Sequence, residues 1–390
     1  MKHITDIKQD NKKAILRLLY KKQNKGQTMS KKRIANQLGL SPAVITKLCS
    51  EMLEEGLILE RDPIKSSKVG RKEVQITINP QYSCCIGIII NHIKTTILLT
   101  DMDLNIIEER KMATLPEPQQ HIENIINSLS EIITCHHLLR TQLLGIGISI
   151  KGYTDGVYSI HGIWEAPIDV KTPIQEALNL PVVMDNGVRC SAMLEQFTTP
   201  YDNFIFIKYM EPGIGGAVIK HGKVMAGESH SILDFGHLII DPSQDYCPIC
   251  KRRGCLESLI SIEKILEQVK AGFSQQNYPD LWGLCGGDAD SITIPRIINA
   301  VESGSIPLNQ LFERNATYLA VCLINLQALW DIPKIIMIGD LFLSERFVNY
   351  LKMAILRYQL TPLIDRIEFQ HHENDELAAI VLALNHFLLS

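Results

Sequence analysis

At 390 residues the chain is too long for one ordinary domain and suits two or three, and 46% hydrophobic with 21% charged residues excludes a disordered chain. Apolar runs such as residues 86–90 and 143–150 are too short to span a bilayer, and the polar start MKHITDIKQDNKK has no signal core. A cytoplasmic protein without a membrane partner is expected. The net charge of -4 hides an asymmetry: residues 1–80 hold 17 Lys/Arg against 8 Asp/Glu, a net of +9, and the rest holds 22 against 35, a net of -13. One end suits a polyanion, with a merely solvated basic face as the alternative.

In chain order, Ile15, Leu18 and Leu19 predict a helix over 12–24, and a second fits Ser30 to Leu38 with Ser30 as cap. Gly39 supplies a tight turn. Ser41 then caps a third helix with Pro42 at its first position and an apolar face of Val44, Ile45, Leu48, Met52 and Leu53. Two strand-like runs follow, Leu57–Glu60 and Val74–Ile78, joined by the basic segment 65–72. This is the layout of a winged helix-turn-helix, and residues 1–79 are assigned to it, with double-stranded DNA as partner. The third helix would enter the major groove, so Ser41, Thr46, Lys47 and Ser50 are the candidate DNA contacts. At the wing tip Arg71, flanked by Gly70 and Lys72, would follow a neighbouring minor groove. A protein-binding winged helix is the alternative.

Beyond Pro80, strand-like runs (Cys85–Ile90, Thr96–Thr100, Leu144–Ile150, Val182–Met184, Phe204–Tyr209, Gly216–Ile219 and Lys334–Ile338) alternate with helical stretches, which predicts α/β. Ser66–Ser67 and residues 275–287 read as exposed loops. Ten cysteines with no export signal argue against a disulfide framework. Seven of them (Cys49, Cys84, Cys85, Cys135, Cys190, Cys285, Cys322) read as small buried hydrophobes. The others form the sharpest local signal, His237-x9-Cys247-Pro-Ile-Cys250-x4-Cys255. Three thiolates and one imidazole complete a tetrahedral shell and select zinc. With four protein ligands no position is left for an activated water, so the zinc is expected to be structural, fixing the loop and the following Leu256-Glu257.

Several motifs, taken in order, resemble those of the ROK family of repressors, open reading frames and kinases over essentially the whole chain. They are Gly70-Arg71 ending the winged helix, Gly145-Ile-Gly-Ile148, and Val183-Met-Asp-Asn186 with Arg189, Ala192 and Glu195. Then come Pro212-Gly-Ile-Gly-Gly216, Asp234-Phe-Gly-His237, Gly254-Cys-Leu-Glu257 and Pro333-Lys-Ile-Ile-Met-Ile-Gly339. The resemblance implies two actin-like (ribonuclease H-like) α/β lobes with a sugar cleft between them. The first lobe spans 80–197, completed by 375–390. The second spans 198–374 and carries the zinc-stapled loop and the dimerisation surface. It also implies that Asn186, Asp234, His237 and Glu257 bind a sugar effector.

The chain departs from the family's pattern at Asp234, where a glutamate is usual, in the extra residue of Cys247-Pro-Ile-Cys250 and at Lys251, where glycine is usual. It departs from the family's kinases at two catalytic places. Where they carry Asp-x-Gly-Gly-Thr, this sequence has Ile89-Ile90-Asn91-His92-Ile93, and their general base aligns with Gly187. Asp185, two residues earlier, should point elsewhere. No ATP and no catalysis are therefore expected. The function implied is a sugar-responsive repressor, a homodimer or tetramer on a palindromic operator. A sugar kinase with an accessory DNA-binding head, and a regulator controlled by a protein partner, are the alternatives.

Overall fold

A computed structural model of the chain describes residues 4–23, 26–61, 73–225, 235–370 and 375–389. The chain forms two compact units, Met1–Pro200 with Asn374–Ser390, and Tyr201–Glu373. It is an α/β protein with mixed sheets.

The first unit begins with α1 (Ile4–Gln23), the short β1 (Met29–Ser30), α2 (Lys31–Leu38), α3 (Pro42–Glu54), β2 (Ile58–Arg61) and β3 (Gln75–Ile78), the strands pairing in the order β1-β3-β2. The local chemistry follows the sequence. Ser30 Oγ accepts from Arg33 N–H and Ser41 Oγ from Val44 N–H, while Gly39 ends α2 at φ 64°, a left-handed turn that favours glycine. One expectation fails: Val44, assigned to the apolar face of α3, is 39% exposed and stands on its outer side, beside Thr46 and Lys47.

The head is seated on the lobe that follows it in the same unit. Tyr20, buried on α1, donates to Met102 O at 2.9 Å and packs on Phe197 at 5.7 Å between ring centres. Gln23 Nε2 donates to Asp103 Oδ1 at 2.7 Å, and Arg17 donates to the Leu389 carbonyl. Lys12 Nζ joins α1 to the end of α3, 2.6 Å from Glu55 and 3.3 Å from Glu51.

The first lobe is a five-stranded sheet in the order β11-β7-β4-β5-β6. Strands β4 (Cys84–Ile90), β5 (Lys94–Asp101) and β6 (Ile106–Ala113) form an antiparallel meander, and α4 (Pro118–Cys135) leads to β7 (Leu143–Ile150). A small sheet, β8 (Tyr153–Thr154), β9 (Tyr158–His161) and β10 (Ile168–Asp169), precedes α5 (Lys171–Leu178), β11 (Val182–Asn186) and α6 (Gly187–Thr198). Strands β4, β7 and β11 run parallel.

The second unit repeats the plan in the order β14-β13-β12-β15-β16. Its meander is β12 (Phe204–Met210), β13 (Gly213–Lys220) and β14 (Lys223–Val224). The helices α7 (Leu256–Ile260), α8 (Ile262–Ala271), α9 (Pro279–Cys285), α10 (Ile294–Glu302) and α11 (Ile306–Trp330) precede β15 (Ile335–Ile338). The parallel β16 (Ile367–Gln370) follows α12 (Glu345–Arg357) and α13 (Thr361–Arg366). Strand β6 and this last strand were not expected from sequence. Nor was α9, in the stretch 275–287 read as a loop. Its Leu281 and Cys285 are buried, and Trp282 stacks on Phe273 at 5.1 Å.

The chain then returns to the first unit as α14 (Ala378–Leu384), every residue of it buried. It lies on glycines of two central strands. A Cβ on Gly147 would fall 2.0 Å from Ala379 O, and one on Gly87 would fall 2.9 Å from the Ile380 side chain. Of the seven scattered cysteines, Cys135 is exposed and Cys84 half-buried, contrary to expectation, and the other five are buried.

Candidate functional site

The candidate DNA contacts on α3 stand together. Ser41, Thr46, Lys47 and Ser50 are all exposed, on the side opposite the buried Ile45, Leu48, Cys49 and Met52. The Thr46 hydroxyl donates to Pro42 O at 2.8 Å, which leaves its oxygen outward as an acceptor. Lys47 makes no ion pair or side-chain hydrogen bond to a described residue. Gly70, Arg71 and Lys72 lie outside the described residues, as do Ser66–Ser67.

In the first lobe, the turn Asn91–Lys94 between β4 and β5 is closed by its own side chain. Asn91 Oδ1 accepts from the N–H groups of Ile93 and Lys94, both at 2.9 Å, and Asn91 N–H donates to Lys94 O at 3.1 Å. Backbone donors that would otherwise cradle an anion are used inside the turn, and Ile93 projects outward at 82% exposure. At the end of β11, Asp185 forms an ion pair with Arg189 at 2.8 Å, one helical turn on. Its charge is compensated there. Asn186 caps α6: its Oδ1 accepts from Val188 N–H at 2.8 Å and, weakly, from Arg189 N–H, and its amide donates to the Gly152 carbonyl. Its carbonyl therefore serves the fold, and only part of its donor capacity remains for a ligand. A Cβ added at Gly187 would meet nothing closer than 3.6 Å. A Cβ therefore fits there in ordinary van der Waals contact.

In the second unit, Ile214 N–H donates to Glu257 Oε2 at 2.9 Å. A Cβ on Gly213 would fall 1.9 Å from Glu257 Oε1, and one on Gly216 would fall 2.2 Å from the Phe235 ring. Gly213 and Gly216 of this motif thus have a packing reason to stay, independent of any nucleotide. Asp234 lies outside the described residues.

The cysteine cluster is assembled as its spacing predicts. The ligand atoms of His237, Cys247, Cys250 and Cys255 lie within 4.8 Å of one another. Nδ1 of His237 is 3.7 Å from both Cys247 Sγ and Cys255 Sγ. The edges of a zinc tetrahedron with these ligands are about 3.5–3.8 Å, so the donor set fits zinc. The loop is built by its backbone. Cys247 N–H donates to Arg252 O at 2.8 Å, Lys251 N–H returns to Cys247 O at 2.9 Å, and Gly254 N–H reaches Asp245 O at 2.9 Å. At Gly254, φ is 69° and a Cβ would lie 1.6 Å from Asp241 O, so only glycine closes the loop. Burial pushes the Cys255 thiol up to about 11, partly offset by Ser258. At Cys250 burial acts the same way, but the Arg252 N–H and side chain and the neighbouring thiols outweigh it and hold the thiol below its ordinary value. A divalent cation supplies the positive charge that stabilises such thiolates.

The chain belongs to the ROK family, whose model matches residues 85–380. Among its relatives is the xylose repressor of Caldicellulosiruptor bescii, 26% identical over 361 residues, 90% of this chain and 88% of that protein. The DNA-binding transcriptional dual regulator NagC of Escherichia coli K12 is 23% identical over 348 residues, 87% of this chain and 82% of that one. The fold matches a ROK family transcriptional regulator homologous to the E. coli MLC protein, with a TM-score of 0.74, 21% identity and 98% of both chains covered. It also matches a ROK family glucokinase from Streptomyces griseus, with a TM-score of 0.62 and 21% identity, covering 79% of this chain and all of that one. The part of this chain outside the kinase match is of the size of the basic head.

What sequence reasoning missed is the seat of that head. Tyr20, Gln23 and Arg17 carry no local signal, because their partners Phe197, Asp103 and Leu389 are remote in the chain.

Proposed function

We propose that the chain is a sugar-responsive DNA-binding transcriptional regulator of the cytoplasm, a repressor of carbohydrate-use genes whose kinase-like lobes bind without catalysing. The observation that carries this reading is the head. It is a basic helix-turn-helix with three paired strands, and it presents Ser41, Thr46, Lys47 and Ser50 on the open face of α3. The names of the relatives agree with it.

Three features support the absence of phosphoryl transfer: the turn closed by Asn91, the glycine at 187, and the pairing of Asp185 with Arg189. Asn186, Asp234, His237 and Glu257 are assigned to the hydroxyls of a sugar, and Gly70, Arg71 and Lys72 to the wing contact. The four-ligand centre at His237, Cys247, Cys250 and Cys255 is assigned a structural zinc. One head buries too little DNA to find a single operator in a genome, so the working form is a homodimer or tetramer. Its operator is a palindrome with half-sites whole turns apart, roughly 10 base pairs each.

Selection of bound duplexes from a random pool tests the reading, followed by fluorescence anisotropy of the recovered duplex against a panel of pentoses, hexoses and amino sugars. The expected result is an inverted repeat, and one sugar that changes affinity about tenfold, a coupling of about 1.4 kcal/mol. Recovery of no common sequence rejects the DNA reading. Sugar-dependent ATP turnover at enzyme-like rates rejects the non-catalytic one.

A further inference from the structure

The pairing of the head's cations divides them into two sets. Lys8 and Lys12 are bound to Glu51 and Glu55, Lys31 to Glu60, Arg61 to Thr77 and Arg17 to the Leu389 carbonyl. Lys13 and Lys21 also have partners. Among the described residues of the head, the Lys and Arg side chains left without a partner are Lys22, Lys32, Arg33 and Lys47. Lys47 stands on α3. Lys32 and Arg33 stand in the first turn of α2, and Lys22 lines one pocket with Arg33.

Lys22 and Arg33 share a pocket of about 410 Å3 between the end of α1 and the outer face of α2. Gln27, Thr28, Asn36 and Gln37 line it with them, and its lining contains no carboxylate. None of these six side chains is bonded to a described residue. The pocket therefore offers two free cations and four uncharged polar side chains, with no internal anion to satisfy them. Phosphate oxygens are the ligand chemistry this suits: the guanidinium fork and the ammonium carry the charge, and amides and hydroxyl complete the hydrogen bonds. In a helix-turn-helix, the first helix of the motif crosses the nucleic-acid backbone while the second enters the groove. Here α2 is that first helix.

We propose that this pocket is a phosphodiester seat, in which Lys22 and Arg33 grip the DNA backbone beside the groove that α3 reads. The proposal rests on the DNA-binding reading above. The seat positions the head and carries no base preference; Thr46, Lys47 and Ser50 carry that.

The test is the salt dependence of binding of the full-length chain to a labelled duplex of arbitrary sequence between 50 and 200 mM salt. Each phosphate contact contributes about 0.9 to the slope of log K against log salt. Lys22→Gln with Arg33→Gln is expected to reduce that slope by about 0.9, the share of one phosphate, to leave the preferred sequence unchanged, and to leave the melting temperature unchanged, since neither side chain has a partner among the described residues to lose. Lys31→Gln, whose charge already belongs to Glu60, is the control and should leave the slope as it is. An unchanged slope in the double variant, with the unmodified chain binding normally, overturns the seat and spares the DNA reading. A unmodified chain that binds no duplex overturns both. Titration with inorganic phosphate, followed by amide shifts of Gln27, Thr28 and Arg33, separates the two sources of the anion. Saturation by free phosphate, with no slope change on duplex DNA, marks a small-anion site and overturns the backbone assignment.

Discussion

The two lobes have the same strand order and put it to different use. In each, a three-stranded meander is extended by two parallel strands on the side of its first strand. In the first lobe a single helix, α4, links third strand to fourth. In the second, the same step holds the cysteine loop and, among the described residues, five α-helices. Glycines show the same division. Gly87 and Gly147 in the first lobe make room for α14, whereas Gly213 and Gly216 in the second make room for Glu257 and Phe235. Topology thus dictates where a strand must be bare of side chains, and the neighbouring segment decides what fills the space. The first lobe is closed by packing, and in the second a His/Cys cluster that could hold a metal ion stands beside the packing.

That contrast can be broken most severely at the His/Cys cluster, where the proposed zinc would sit. Cys255→Ser, or exhaustive chelation, should release one zinc per chain by elemental analysis and open the 237–257 loop to hydrogen exchange. The exchange protection of β4, β7 and α14 should survive, because a structural zinc contributes folding free energy only where it is bound. Equal loss of protection in both lobes would erase the distinction.

Gly147→Val is the matching change in the first lobe. The new Cβ would meet a backbone carbonyl at 2.0 Å, which cannot swing aside as a side chain can. A loss of about 3 kcal/mol or more in urea unfolding is expected. Gly187→Ala, with 3.6 Å of clearance, should change stability by less than about 0.5 kcal/mol.

At the seat of the head, Tyr20→Ala should cost about 3–5 kcal/mol, and Tyr20→Phe, which loses only the bond to Met102 O, about 1 kcal/mol. Limited proteolysis between residues 79 and 84 should speed up in the alanine variant alone.

The smallest effect concerns pH. His121 is fully buried between Thr95, 2.8 Å from its Nε2, and the Leu115 N–H, with Trp164 beside it, and burial lowers its pKa from 6.5. The unfolded chain takes up this proton first, so the contribution of His121 is present above about pH 6.5 and declines as pH falls. Urea unfolding at pH 7.5 and 5.5 should show a smaller difference in His121→Gln. His386 shifts in the same direction, so the comparison between variants is the measurement.

Legibility followed the range of each interaction. The caps at Ser30 and Ser41, the turn at Gly39 and the metal cluster were readable because each is a local geometry with a residue-type requirement. Helix α9 was missed because Pro279 and Gly286, here its first position and its left-handed end, are also what punctuates loops. Strand β6 was missed because Glu108, Glu109, Arg110 and Lys111 crowd an edge strand, where charge is tolerated and periodicity is weak. Val44 was misplaced because a valine was assigned inward by type, although its position on α3 points outward. Asn91 closing its own turn and Glu257 meeting Ile214 follow from tertiary contact alone.

Helix α14 has a consequence in time. A ribosome delivers the head, all five strands of the first lobe and then the entire second unit before the buried residues 378–384 emerge. Until they do, Gly87 and Gly147 face an empty groove, and the lobe on which Tyr20 rests is incomplete. The nascent chain therefore displays α3 early and gains firm support for it last, so a message broken anywhere downstream yields a head without a finished base.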